Sequence, residues 1–64
     1  MNGIKNIEAI ISKLENAKEF SMNKMKEVKD LEEFKYYQGE ITALGQCIIE
    51  CYQEIVNINR KTLN

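Results

Sequence analysis

The segment Lys29-Asp30-Leu31-Glu32-Glu33-Phe34 decides the fold, because two apolar patterns fall out of phase there. On its C-terminal side, apolar residues recur at alternating steps of three and four up to Ile58, a heptad spacing typical of a helix that packs along one face. The pattern passes Gly39 and Gly45 without losing phase, which predicts one long helix. We call this pattern the second seam: Phe34, Tyr37, Ile41, Leu44, Ile48, Cys51, Ile55 and Ile58.

A first seam with the same spacing precedes the segment. Continued past Val28, it places Glu32 at the next core position, whereas the second seam requires Phe34. A single helix would have to rotate its apolar face abruptly within residues 29–33, so the sequence predicts two helices. The first seam is apolar at its ends and polar in the middle: Ile4, Ile7, Ile11, Leu14, Lys18, Ser21, Met25 and Val28.

Local chemistry supports the break between the helices. Asp30 and Glu33 form a pair like a capping box, in which Asp30 accepts from a free N–H group and Glu33 reaches back. We therefore predict helix 1 at about residues 4–28, a turn at about residues 29–30 and helix 2 at about residues 31–60. A break near Ser21 is the alternative, because poor helix formers surround it.

A short connection predicts that the two helices pack antiparallel as a hairpin, so that the fold class is all-α with one domain over residues 1–64. Residues 1–29 carry six Lys and four Glu, whereas residues 30–64 carry three basic and six acidic side chains, so the helices attract.

The antiparallel arrangement predicts which parts of the seams meet. At the free ends, the seam residues from Ile4 to Leu14 should face those from Ile48 to Ile58. The contacts expected near the turn join Met25 and Val28 to Phe34 and Tyr37.

One partner helix leaves part of the apolar surface uncovered. Helix 2 carries a second stripe beside its seam, Gly45, Ile49, Tyr52 and Val56, spaced four, three and four. Helix 1 adds Ile10. These residues predict a homodimer in the form of a four-helix bundle, and a docking face for a foreign protein is the alternative.

Composition argues against catalysis and against several classes of partner. The 64 residues include no His, the usual general base, and contain neither a nucleophile–base pair nor a glycine-rich phosphate loop. We expect no enzyme activity and no cofactor. The net charge is −1, and acidic side chains surround the only basic cluster, Lys24, Lys26 and Lys29, so nucleic acid is not an expected partner. No apolar run is long enough to predict a membrane span.

The cysteines and one tyrosine are further candidate sites. Cys47 and Cys51 lie four residues apart on one helix face, where four thiolates of a dimer could bind zinc. The simpler interpretation is that Cys51 is a small core residue of the second seam and that Cys47 flanks it. We predict no metal site. Two cysteines without an export-signal pattern predict reduced thiols and a cytoplasmic location. The abundance of Lys, Ile and Asn is typical of an AT-rich genome and favours a bacterial host. Tyr36 lies off both patterns and is the candidate for an exposed contact.

The stretch Tyr36-Tyr37-Gln38-Gly39-Glu40-Ile41-Thr42-Ala43-Leu44 resembles short phage and prophage proteins. In these, an aromatic-x-x-Gly-x-aliphatic-x-Ala-Leu run opens the second helix of an all-α hairpin. The resemblance implies an accessory protein of a mobile element that blocks a host defence or regulatory protein by stoichiometric binding. The alternatives are a nucleic-acid-associated regulator, and a structural or assembly component of a virion or spore.

Overall fold

The computed structural model describes residues 3–63, with side chains through residue 61. It contains two helices, α1 (Gly3–Met25) and α2 (Leu31–Leu63), which pack against each other as a hairpin. No strand is present within this described range. The prediction of an all-α fold with two helices is confirmed.

The connection is longer than predicted. Helix α1 ends at Met25 instead of residue 28, and residues 26–30 reverse the chain, whereas the sequence predicted a turn of two residues. The N–H group of Glu27 donates to the carbonyl oxygen of Lys24 at 3.0 Å, a tightened last turn. Among the described residues none has a positive φ, so the compact left-handed helix cap is not used and the reversal takes more residues.

Asp30 begins α2. Its Oδ1 atom accepts a hydrogen bond of 2.8 Å from the backbone N–H group of Glu33, and its carbonyl oxygen accepts one of 3.2 Å from Phe34. Glu32 and Glu33 lie in the first turn, at the positive end of the helix dipole. Asp30 is the N-cap that the sequence indicated.

The far end of α2 extends beyond the predicted boundary. The helix continues to Leu63, three residues past residue 60. Arg60 and Lys61 lie in its last turn, where positive charge is favourable at the negative end of the dipole. These basic residues support helical structure that the apolar pattern alone did not predict.

Burial follows the two seams closely, with exceptions in α2. Phe34 is 38% exposed because α1 has ended before it and covers it only in part. Glu40 and Gly45 are half-buried although neither belongs to the second seam. In residues 3–30 the buried and half-buried side chains are Ile4, Ile7, Ile11, Leu14, Lys18, Ser21, Met25 and Val28. In α2 the half-buried residues are Tyr37, Glu40, Ile41, Leu44, Gly45, Ile48, Cys51, Ile55 and Ile58.

Cross-helix distances establish the antiparallel register. A methyl group added to Gly3 would lie 4.0 Å from Cδ1 of Ile58. One added to Gly45 would lie 3.9 Å from Nζ of Lys18. Positions later in α1 therefore face positions earlier in α2.

The hairpin has a thin core. Of the described hydrophobic residues only Ile11 is buried, at 4% exposure. The accessible surface is 5271 Å², whereas a compact protein of this mass exposes about 4,200 Å². The Cα radius of gyration is 15.2 Å, against about 11 Å for a compact chain of this length. Two helices alone leave much apolar surface in water.

Candidate association surface

The hairpin has two broad faces, one on each side of the plane that contains both helix axes. On the front face, side chains of α1 and α2 line a shallow open groove. A second groove continues along α2, and Ile49 lines both. The first is lined by Glu15, Lys18, Glu19, Met22, Gly45, Ile48 and Ile49. The second is lined by Ile49, Tyr52, Gln53, Val56, Asn57 and Arg60.

The rear face carries a separate groove between the same two helices. Its lining is mostly apolar, with one half-buried carboxylate, that of Glu40. Phe20 contributes a largely exposed ring at its edge. The lining residues are Ala17, Phe20, Ser21, Glu40, Ala43 and Leu44.

The second stripe of α2 lies on the front face. Ile49, Tyr52 and Val56 are each about half exposed, and Gly45 is half-buried beside Lys18. Their positions follow one another along the two front grooves. Gly45, Ile49, Tyr52 and Val56 therefore form a continuous apolar surface, which we call the front stripe.

Ile10 and Tyr36 lie on the rear face, away from the front stripe. Ile10 precedes Ala17 by seven residues, and Tyr36 precedes Ala43 by seven, so each shares a helix face with a residue of the rear groove. Both are exposed. Ile10, predicted to share an association surface with the second stripe of α2, thus lies on the other face of the hairpin.

The order of an exposed apolar residue and its neighbouring seam residue in the sequence distinguishes the front face from the rear face. Ile10 directly precedes the seam residue Ile11, whereas Ile49 directly follows the seam residue Ile48. In an antiparallel pair, the residue that directly follows a seam residue points to the same face in both helices. The residue that directly precedes a seam residue points to the opposite face. Spacing without this direction groups Ile10 with the stripe of α2, which is why the sequence predicted a single surface.

Besides the seam residue Phe34, three large apolar side chains are exposed that were not among the predicted association residues. Phe20 lies on the rear face, and the ammonium group of Lys24 is 5.5 Å from the centre of its ring. Met22 lines the front groove, and Leu31 is exposed at the start of α2. They add to the apolar surface that the hairpin leaves uncovered.

Polar contacts on the rear face centre on Glu40. The hydroxyl group of Ser21 donates a hydrogen bond of 3.3 Å to Oε2 of Glu40. The same carboxylate raises the pKa of Tyr36, first by side-chain hydrogen bonding and then by its charge. The rings of Tyr36 and Tyr37 contact edge to face at 5.2 Å between centroids. Tyr36 is therefore held by neighbours in its own helix.

The two thiols are not part of a metal centre in the described residues. Cys47 is exposed, Cys51 is half-buried in the second seam, and both are free. No group of three or more His, Cys, Asp or Glu side chains within the described range is arranged to hold a metal ion. Within residues 3–63, neither helix combines the length and apolar character needed to cross a membrane.

Comparison with known proteins gives no match: no family model fits the sequence, and no curated protein or solved structure is significantly similar to the chain. The resemblance of residues 36–44 to phage accessory proteins stays a prediction. Function is therefore inferred from the two faces of the hairpin.

Proposed function

We propose that this chain is a non-enzymatic interaction protein that self-associates into a four-helix bundle and binds and occludes a protein partner. One observation carries the proposal: the hairpin buries a single hydrophobic side chain among its described residues, while large apolar side chains are exposed on both faces. Contiguous apolar surface of this kind is typical of sites that another chain covers.

The excess surface is large enough for a protein interface. The chain exposes about 1,000 Å² more than a compact protein of its mass. A standard protein–protein contact buries about 800 Å² on each partner. A second hairpin laid on one face would bring the exposed area per chain close to that of an ordinary globular protein.

One contact with a second copy leaves the opposite face open. A closed dimer uses the same patch on both copies, so it covers one of the two faces. The other face then remains for a foreign protein, and exposed aromatic side chains such as Phe20 are typical anchors of such contacts. Binding there would occlude the surface of the partner.

We also propose a cytoplasmic location for the protein. Cys47 and Cys51 are free thiols, and reducing conditions keep thiols in this state. Cys51 fills a half-buried position of the second seam, where oxidation would introduce polar oxygen atoms. A reducing compartment preserves this packing.

Sedimentation equilibrium over a micromolar concentration range tests self-association. We expect twice the mass of the chain, with helicity that falls as the dimer dissociates on dilution. A stable, fully helical monomer throughout this range would contradict the proposal.

Affinity capture from a bacterial lysate with Phe20→Glu tests partner binding, with Gln46→Glu as the matched control at another exposed helical position. We expect the control to retain a stoichiometric partner and Phe20→Glu to lose it, while both remain dimeric. Dimers that capture the same proteins in both variants would overturn partner binding through the rear face.

A further inference from the structure

The α2 residues that line the two front grooves are spaced symmetrically about one point of the helix, between Tyr52 and Gln53. Ile49 and Val56 lie equally far from the midpoint of the dipeptide Tyr52-Gln53. Arg60 lies as far beyond this midpoint as Gly45, the first residue of the stripe, lies before it. Two copies of α2 packed antiparallel about a two-fold axis bring such pairs opposite each other, which is the condition for an isologous contact.

We infer that a second copy of this chain covers the front face, with α2 packed antiparallel on α2 and the two-fold axis between Tyr52 and Gln53. The inference rests on the proposed self-association and specifies its geometry. Ile49 of each copy then packs on Val56 of the other, and Tyr52 packs beside the axis. These three side chains are each about half exposed in the hairpin.

Charge complementarity supports this register. Arg60 lines the groove at the far end of the stripe, and the two-fold axis carries it to Gly45 of the second copy. There Glu15, Lys18 and Glu19 line the other front groove, so a local charge of −1 meets a guanidinium group. The symmetry makes this contact twice in each dimer. Arginine pairs well with carboxylates in partly covered sites.

Gly45 leaves space for the incoming side chain. A methyl group added there would meet only the flexible end of Lys18, at 3.9 Å. A larger residue would occupy the place where the long side chain of Arg60 from the second copy crosses α2. The glycine thus has a use in the dimer that the isolated hairpin does not explain.

The rear face is less suited to a contact between copies. Its groove contains the half-buried carboxylate of Glu40, which a second hairpin would remove further from water. Desolvation of a carboxylate is costly unless a cation pairs with it. On the front face, Glu15 and Glu19 lie in the groove that receives Arg60.

A charge-reversal experiment tests the register. Arg60→Glu should raise the dimer dissociation constant by about fivefold to tenfold, because it replaces an attraction to Glu15 and Glu19 with repulsion. Combining Arg60→Glu with Glu19→Lys should restore the constant to within about twofold of the unmodified protein. Lys61→Glu is the matched control, with the same charge change at an exposed neighbouring position, and should leave the constant nearly unchanged.

Disulfide trapping gives an independent readout in a Cys47→Ser, Cys51→Ser background. The double variant Ile49→Cys, Val56→Cys should form covalent dimers under mild oxidation. Each single variant should not, because its thiol lies far from the same thiol of the second copy in this register. Ala43→Cys lies on the rear face and should also stay unlinked.

Different results would identify which idea fails. A monomer at every concentration would overturn the proposed self-association itself. Two results would overturn only the front-face geometry. In the first, Ala43→Cys traps covalent dimers. In the second, Arg60→Glu and Lys61→Glu have the same dimer dissociation constant, and the double cysteine variant stays unlinked. Trapping of the double variant together with rescue by Glu19→Lys would support it.

Discussion

The hydroxyl group of Ser21 donates a hydrogen bond of 3.3 Å to Oε2 of Glu40, and the bond joins α1 to α2. Ser21 is 2% exposed, and Glu40 is half-buried. A slip of α2 by one heptad would move Glu40 about 10 Å along the helix axis and break this bond. The hydrogen bond therefore favours the observed register over a shifted one in which Ser21 would face Cys47, because a thiol is a weaker acceptor than a carboxylate.

A double-mutant cycle measures this link. We expect Ser21→Ala and Glu40→Ala to be coupled by about 1 kcal/mol in the free energy of unfolding, the usual size for a partly exposed hydrogen bond. Urea unfolding at one fixed protein concentration gives the four values. Strictly additive losses would show that the contact contributes nothing to stability.

The alkaline titration of Tyr36 should depend on Glu40. The carboxylate raises the pKa of Tyr36 above its ordinary value of about 10, because it favours the protonated hydroxyl group. Glu40→Gln should lower this pKa, as measured by tyrosinate absorbance, with Tyr36→Phe identifying the signal. Since the folded-state pKa is the higher one, the linked stability is present below about pH 10 and is lost as the pH rises through the pKa of Tyr36. An unchanged titration in Glu40→Gln would refute the contact.

Loss of the N-cap should destabilise α2. Asp30→Ala removes the acceptor that lies 2.8 Å from the N–H group of Glu33, and we expect a loss of about 1 kcal/mol in the free energy of unfolding. Asp30→Ser is the control, because serine also caps helices and should recover most of the stability. Equal losses in the two variants would count against a capping role.

Two neighbouring isoleucines should differ in their effect on stability. Ile11 is 4% exposed, so Ile11→Ala should cost about 2 to 5 kcal/mol through lost burial and a cavity. Ile10 is about half exposed, and Ile10→Ala should cost less than about 1 kcal/mol. Thermal unfolding of both variants at the same concentration makes the comparison. A loss of clearly more than about 1 kcal/mol for Ile10→Ala would mean that the rear face is covered in solution.

Gly39→Ala should stabilise the protein. Gly39 lies inside α2 with an ordinary helical φ, and nothing lies within 4 Å of an added methyl group. Alanine should therefore add about 0.5 to 1 kcal/mol to the free energy of unfolding. Gln46→Ala, at another exposed position of α2, should change stability less. A destabilised Gly39→Ala variant would indicate that another chain packs closely on this part of α2.

The apolar spacing was sufficient to predict two helices and their hairpin arrangement. The change of phase around Asp30 located the start of α2, because the seam and the N-cap agree on one position. The length of the connection was not predictable in this way. Val28 continues the first seam and is half-buried, yet it lies beyond the end of α1, so a residue in a turn can occupy a seam position without being helical.

The candidate surface was harder to predict because it depends on how the helices are placed side by side. Phe34 fits the second seam but stays 38% exposed, since α1 ends at Met25 and covers it only in part. Glu40 is half-buried although it is charged, and Ser21 of α1 supplies a hydrogen bond to it at that level. Spacing along one helix does not report such neighbours in the other.

The thin core of the hairpin affects how long the protein survives in a cell. Any molecule that binds the folded hairpin and not the unfolded chain shifts the balance toward the hairpin by mass action. Proteases degrade the unfolded chain. Since Ile11 and Ser21 are the only buried residues in the described range, abundance and binding would decide how long each copy survives. Unbound copies would be cleared first.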